Sequence, residues 1–286
     1  MAGRRATTGL FLSPWILTFA AFGVFPIVFS FVLSFLRYDP LNPAGASFIA
    51  FENYARALRD RTFWQSLGNT AFFTIGTIPV TTAGAFLLAV ALDRRLPARS
   101  LFRAGFFVPS VVSMVVISLI WKNLYAPFGA LNAALDALGL PEVAWLQNPR
   151  TALPAIMLMD VWASTGYYML LFLAGLQSIP RELYEASALD GAGTWARVRH
   201  VTVPLLMPVT LFVVVINTIR SLQVFIEVFV MTRGGPMNST LTTVFYLYDI
   251  GFFKFEMGYA SAIAYLLFLL ILGFSVLEMR TMRRRA

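Results

Sequence analysis

Three ionisable side chains, Asp160, Arg220 and Glu227, stand inside long stretches that are otherwise free of charge. A charge in hydrocarbon costs roughly 3 kcal/mol or more, so such groups line a solute or ion path, or they pair. Arg220 and Glu227 are seven residues apart, two helical turns, and share a face if the helix is continuous. Both then line a water-filled path or pair with a partner chain; alternatively Glu227 and Asp160 each sit near a membrane interface and are hydrated. Other chemistries lack their parts. His200 is the only histidine and falls in a polar insert, which removes a Ser-His dyad at membrane depth. Asp160 has no second aspartate at depth to share a proton with. Cysteine is absent, excluding thiolate catalysis, disulfides and Cys-based metal sites. No G-x-x-x-x-G-K-[ST] loop occurs, so the chain does not hydrolyse ATP alone, and no catalytic or metal-binding residues are assigned.

The elements that carry these residues follow from composition. Of 286 residues, 58% are hydrophobic and only 13% charged, against about a quarter charged in soluble domains. Mean hydropathy is +0.73. Such a chain is polytopic and all-α. No charge appears over 6–36, 62–92, 104–121 or 257–277; the runs 151–179 and 201–232 are interrupted only by the three groups above. At about 20 residues per crossing this makes six spans. The first two runs are longer than a bilayer requires, and Pro14 and Pro26 are expected bends in the first. That first run follows Arg4 and Arg5 but continues past the length of a signal peptide's apolar region, so it reads as a retained helix.

Six spans put both termini on one side. Thirteen basic residues (Arg4, Arg5, Arg94, Arg95, Arg99, Arg103, Arg181, Arg197, Arg199, Arg280, Arg283, Arg284, Arg285) fall on that side and eight on the other, the thirteen in shorter connections. The positive-inside rule therefore places the termini in the cytoplasm. A basic rim beside anionic headgroups accounts for the net charge of +8, and nothing resembles a nucleic-acid-binding module.

The same count puts the insert from Glu185 to Pro208, EASALDGAGTWARVRHVTVPLLMP, on the cytoplasmic side. Ser178 and Pro180 offer a helix start, with Glu182 in the first turn. Leu183, Ala186 and Leu189 or Asp190 recur at helical spacing, Gly191 suits a left-handed stop, and Thr194 is placed to cap a second helix through Trp195 to Val201. Pro204 and Pro208 mark the return to the membrane. The small residues Gly258, Ala260, Ser261, Ala262 and Ala264 read as close helix packing.

Glu185, Ala186, Ser187 and Gly191, followed after nine residues by Val201 and then Val203 and Pro204, resemble the EAA motif of permease subunits in bacterial ABC importers. Departures are mild: Ser187 where that family usually has Ala, and valines at 201 and 203. The segments at Ser100–Tyr125, LFLAGLQSIPRELYEASALDGA, TRGGPMNSTLT and MGYASAIAYLLFLL resemble carbohydrate-importer permeases, including those for maltose and glycerol phosphate, over about 69–278. The resemblance implies a type I ABC importer permease fold with a cytoplasmic coupling helix: 1–65 as N-terminal segment, first span and external loop, 66–278 as the permease domain, and 279–286 as a basic cytoplasmic tail.

The resemblance further implies a sugar-moving subunit of the bacterial inner membrane. It would pair with a second homologous permease and an ABC ATPase dimer, and receive solute from an extracytoplasmic binding protein at the loops 37–61 and 122–150. Glu182, Glu185, Ala186, Ser187, Asp190, Gly191, Ala192 and Pro204 are its coupling residues within 180–204. ATP and magnesium belong to the ATPase, and no cofactor is expected on this chain. A pyranose offers apolar faces and hydroxyls, which makes Trp162, Tyr167, Tyr168, Asn217, Ser221 and Gln223 candidates for the substrate path beside Asp160, Arg220 and Glu227; aromatics near helix ends also serve as interface anchors. Glycerol phosphate import is the alternative within the class, and an ion-coupled secondary transporter the alternative outside it.

Overall fold

A computed structural model of the chain describes residues 2–93 and 97–283, with side chains over 11–93 and 97–281. Arg94, Arg95, Arg284 and Arg285 of the basic rim lie outside the described residues, as do the side chains of Arg4, Arg5 and Arg283. In chain order the helices are α1 (Ala2–Phe19), α2 (Phe25–Leu33), α3 (Glu52–Arg59), α4 (Arg61–Asp93), α5 (Arg99–Val111), α6 (Met114–Leu124), α7 (Ala130–Ala137) and α8 (Ala152–Ser178). There follow α9 (Arg181–Leu189), α10 (Thr194–Arg197), α11 (Val203–Leu205), α12 (Met207–Leu222), α13 (Ile226–Met231), α14 (Thr243–Tyr248) and α15 (Met257–Arg283). Among the described residues the only strands are a two-residue antiparallel ladder, β1 (Leu36–Arg37) with β2 (Ser47–Phe48), in register Leu36 to Phe48.

Five segments are long and apolar enough to cross a membrane: Phe11–Leu33, α4, α8, Met207–Met231 and Met257–Thr281. The third apolar run forms a sixth only as the pair α5 and α6, bent by 99°. This corrects the expectation of a simple span over 104–121. Pro109 removes a backbone donor within α5, and Val112 (φ −77°, ψ 144°) and Ser113 (ψ 131°) are extended between the two helices. The first span is modified differently. Pro14 lies inside α1, whereas Pro26 follows a π-helical turn at Ala20–Val24, where the Phe25 N–H reaches the Ala20 carbonyl.

The chain divides into two compact units, 2–63 with 246–269 and 64–245 with 270–283. In the first, Gly258 lets the backbone approach the Leu36 carbonyl, where a Cβ would collide, and Asn53 donates to the Ser34 and Leu36 carbonyls at 3.0 and 2.9 Å. Gly258, Ala260 and Ala262 are buried, as expected for close packing. Asp60 accepts from the hydroxyls of Tyr246 and Tyr259, the latter at 2.7 Å, and Arg56 lies 4.0 Å over the Tyr259 ring while pairing with Glu256. Burial pushes the Asp60 carboxyl upward, but the two phenols and the amides of Thr62 and Phe63 outweigh it and hold the group below its ordinary range.

In the second unit α8 is the central element. Ala85, Ala89 and Leu92 of α4, Tyr168, Met169, Phe172, Leu173 and Leu176 of α8, and Val213 of α12 form its core together with Ile179 and Leu206. Glycine sets two close approaches. A Cβ at Gly166 would run into the Phe106 carbonyl, so α5 lies backbone to backbone on α8; at Gly175 it would meet Leu206 and Val209 side chains at 2.8 Å. One face of α4 carries Ser66, Thr70, Thr77 and Thr81, all fully buried. Thr70 and Thr77 bond carbonyls four residues back, which satisfies their donors within the helix.

Candidate functional site

The polar insert is built by local rules. α8 ends at Ser178, whose hydroxyl returns to the Gly175 carbonyl at 2.7 Å, so Ser178 closes a helix rather than opening one. Pro180 is the N-cap of α9, with Glu182 in the first turn, where a carboxylate meets the positive end of the helix. Gly191 then adopts φ +77°, and its N–H bonds the Ala188 carbonyl at 3.1 Å while the Ala192 N–H reaches the Ser187 carbonyl at 2.9 Å. Those two bonds are the Schellman pattern, which satisfies the last carbonyls of α9. The second helix is capped by Gly193, not Thr194, with no side-chain cap bond; it is regular only over α10 and passes into a π turn at Val198–Thr202. Pro204 and Pro208 stand in the first turns of α11 and α12.

The insert is anchored at its base and open at its tip. Tyr184 packs on the unit's core and its hydroxyl meets that of Thr202 at 3.0 Å, tying α9 to the π turn. Glu182, Glu185, Ala186, Asp190 and Gly191 are exposed; Ser187 and Ala192 are half-buried, and the Ser187 hydroxyl donates to the Tyr184 carbonyl at 2.9 Å. Leu189 and Trp195 are 90% and 73% exposed on the two arms of the turn. An apolar pair so placed on an otherwise polar projection is surface made to be covered. Tyr184 was absent from the sequence candidates, although a tyrosine flanked by Glu182 and Glu185 is the one bulky residue of α9 able to reach the core.

The three charged groups of the apolar spans come together. Arg220 Nη2 lies 2.9 Å from Asp160 Oδ1 and 3.9 Å from Glu227 Oε1. The carboxylate side chains are 5% and 9% exposed, the guanidinium side chain 39%. Seven-residue spacing alone does not produce this: α12 stops at Leu222, Phe225 takes φ −144°, and α13 restarts so that Glu227 faces Arg220 across the break. The hydrated-interface alternative for Asp160 and Glu227 is replaced by burial and pairing.

Arg220 opens onto a cavity of about 330 Å³ lined by Pro109, Ser110, Met114, Ser164, Tyr167 and Tyr168 among others. The Ser110 hydroxyl donates to the Ala163 carbonyl at 2.8 Å and accepts from the Tyr167 N–H at 3.0 Å, so the bent pair α5 and α6 is pinned to α8 at this cavity. The remaining sequence candidates are dispersed. Ser221 is buried against α4, its hydroxyl 3.4 Å from that of Thr77, and Asn217 is buried beside Ser221, whose hydroxyl reaches Asn217 Oδ1 at 3.4 Å; neither lines the cavity. Trp162 is half exposed and packs on Trp121 at 5.5 Å, and Gln223 is exposed at the break after α12. Ser110 and Ser164 were missed. Serines are too common in apolar helices to stand out, and only the close packing of α5 on α8 at Gly166 brings Ser110 to its partners there.

The family profile described as binding-protein-dependent transport system inner membrane component matches residues 85–281. The lactose transport system permease protein LacF of Rhizobium radiobacter is 36% identical over 282 residues, covering 96% of this chain and 94% of that one. The arabinooligosaccharides transport system permease protein AraP of Bacillus subtilis is 35% identical, covering 97% and 88%. The trehalose/maltose transport system permease protein MalF of Thermococcus litoralis is 34% identical, covering 99% and 96%. Among solved structures, a chain of a bacterial alginate ABC transporter in complex with an alginate pentasaccharide-bound periplasmic protein superposes with TM-score 0.86 at 20% identity, covering 99% and 96%. A chain of the inward-facing MetNI methionine ABC transporter gives 0.54 at 15% identity, covering 79% of this chain and 99% of that one.

Proposed function

We infer the function from membership: this chain belongs to the binding-protein-dependent transport system inner membrane components. We propose that it is the membrane-spanning permease of an ATP-driven importer that carries a di- or oligosaccharide across the cytoplasmic membrane. A second permease, an ABC ATPase dimer and an extracytoplasmic binding protein complete the assembly. The relatives named for lactose, arabinooligosaccharides and trehalose/maltose support a sugar cargo. A cavity lined by the half-exposed Tyr167 ring and by the Arg220 guanidinium suits a pyranose, which presents apolar faces and hydroxyls together.

The observation that carries the coupling role is the exposed helix, glycine turn and helix at 181–197, with Leu189 and Trp195 uncovered at its tip. With both termini in the cytoplasm this projection faces the side where ATP is. A push or pull on α9 reaches the membrane helices without slack, because Ile179 and Leu206 at its two roots belong to the same core as α4, α8 and α12. Closure of the ATPase dimer would then rock the spans between inward- and outward-open states.

Lacking cysteine, the chain allows a clean test. Leu189→Cys carrying a benzophenone maleimide should photo-cross-link an ATP-binding subunit in native membranes, whereas Phe128→Cys, 98% exposed in another loop, should not. Labelling of Leu189→Cys by a membrane-impermeant maleimide added outside intact cells would refute the assignment.

A further inference from the structure

Among the described residues, Arg220 is the only charged one lining the cavity beside Tyr167 and Tyr168, and at first sight it makes an anion site. Its partners argue otherwise. Asp160 holds one face of the guanidinium at 2.9 Å, and Glu227 stands at 3.9 Å. With both carboxylates ionised the trio carries one net negative charge; with either one protonated it is neutral. Only with both carboxylates protonated, which would leave Arg220 without a countercharge, would the cavity meet a solute with net positive charge. A phosphate or carboxylate entering would meet a trio whose net charge is negative or zero rather than a free cation, across a low-dielectric wall where Coulomb terms are several-fold larger than in water. It would also leave bulk solvent with no uncompensated cation to replace its hydration.

We propose that Asp160 and Glu227 are specificity-determining residues. By compensating Arg220 they make the part of the passage built by this chain accept uncharged sugars and reject anionic ones of the same size. The guanidinium, 39% exposed and lining the cavity, then serves as a fixed hydrogen-bond donor to sugar hydroxyls rather than as a countercharge. Glu227 is the more expendable of the pair, since Arg220 keeps its shorter contact to Asp160 without it. This proposal rests on the sugar reading of the cavity given above, and it excludes glycerol phosphate as a cargo.

The test uses the complete transporter in detergent without its binding protein, and a matched pair of probes: maltose and maltobionate, its carboxylate analogue. Saturation-transfer NMR reads weak binding of each. Wild type should bind maltose at least tenfold more tightly than maltobionate. Glu227→Gln should cut that preference about tenfold, and Asp160→Asn should do the same; if Asp160→Asn does not assemble, Glu227→Gln alone decides. Arg220→Gln should leave maltobionate excluded, because two carboxylates remain, while weakening maltose. Binding of maltose with a preference that neither carboxylate substitution changes would overturn the charge-filter proposal and leave the sugar reading standing. Failure of wild type to bind either probe, with no uptake of maltose, lactose or trehalose by the reconstituted assembly, would overturn both.

Discussion

The proposed coupling role falls on the turn at Gly191, and replacing it makes a sharp test. Its φ of +77° lies where an L-residue is destabilised by about 1–2 kcal/mol, and nothing stands within 4 Å of the position a Cβ would take. Gly191→Ala therefore changes conformational energy with no steric term in this chain. The two Schellman bonds, at 3.1 and 2.9 Å, exist only in the turned conformation, so the cost falls on its population. A shift of about 1–2 kcal/mol lowers an equilibrium by about 5–30-fold, and apparent affinity for a partner falls by the same factor when only the turned state docks. Gly191→Asn is the control, since asparagine enters the left-handed region more readily than alanine. The assay is retention of the ATPase on the purified assembly, together with ATP-driven sugar uptake at matched expression. Alanine should lose both by about 5–30-fold, with asparagine in between, and thermal unfolding of the chain should shift little because Gly191 is exposed. Wild-type coupling in Gly191→Ala would refute the role of the turn. Equal losses for alanine and asparagine would show that close approach of a partner, not backbone conformation, demands glycine there.

Three further outcomes follow from the structure. Gly166→Ala drives a Cβ into the Phe106 carbonyl, where backbone cannot turn aside, so its melting midpoint in detergent should fall well below that of Gly175→Ala, which meets only Leu206 and Val209 side chains; overpacking of this kind costs about 1–3 kcal/mol or more. Asn132→Ala strands the Val143 N–H and the Trp145 indole N–H, each 3.1 Å from Asn132 Oδ1, and should raise hydrogen exchange over 126–151 by an opening free energy about 1–3 kcal/mol lower. Asp60 is held below its ordinary carboxylate range, so its contribution is fully present above about pH 4 and is lost as pH falls through its folded value. Protection of the amides of 52–60, taken relative to their intrinsic exchange at each pH, should fall on acidification below about pH 4 in wild type and not change in Asp60→Asn.

Much of the architecture was legible because charge is so costly in a bilayer that its absence over 6–36, 62–92 and 257–277 marks helices before any folding rule is applied. The glycine turn was legible for a local reason: Gly191 follows an amphipathic stretch at the distance where a helix needs a left-handed stop. What the residues did not disclose is tertiary. Pro109 announces a weakened helix but not a 99° bend, which the extended backbone at Val112 and Ser113 makes. Asp160 and Arg220 are sixty residues apart and meet only once α8 and α12 pack. Asn217 and Ser221 have side chains fit for a sugar yet are buried, Ser221 against Thr77 of α4, because helix rotation is fixed by neighbours rather than by residue type.

Uptake by the reconstituted assembly tests the central claim most directly. Proteoliposomes containing this chain with the second permease and the ATPase, supplied externally with the binding protein and radiolabelled disaccharide, should accumulate sugar only with ATP and magnesium inside. Accumulation should vanish when the binding protein or the ATPase is omitted, and a proton or sodium gradient should not replace ATP. Sugar accumulation by this chain alone under an ion gradient would contradict the account.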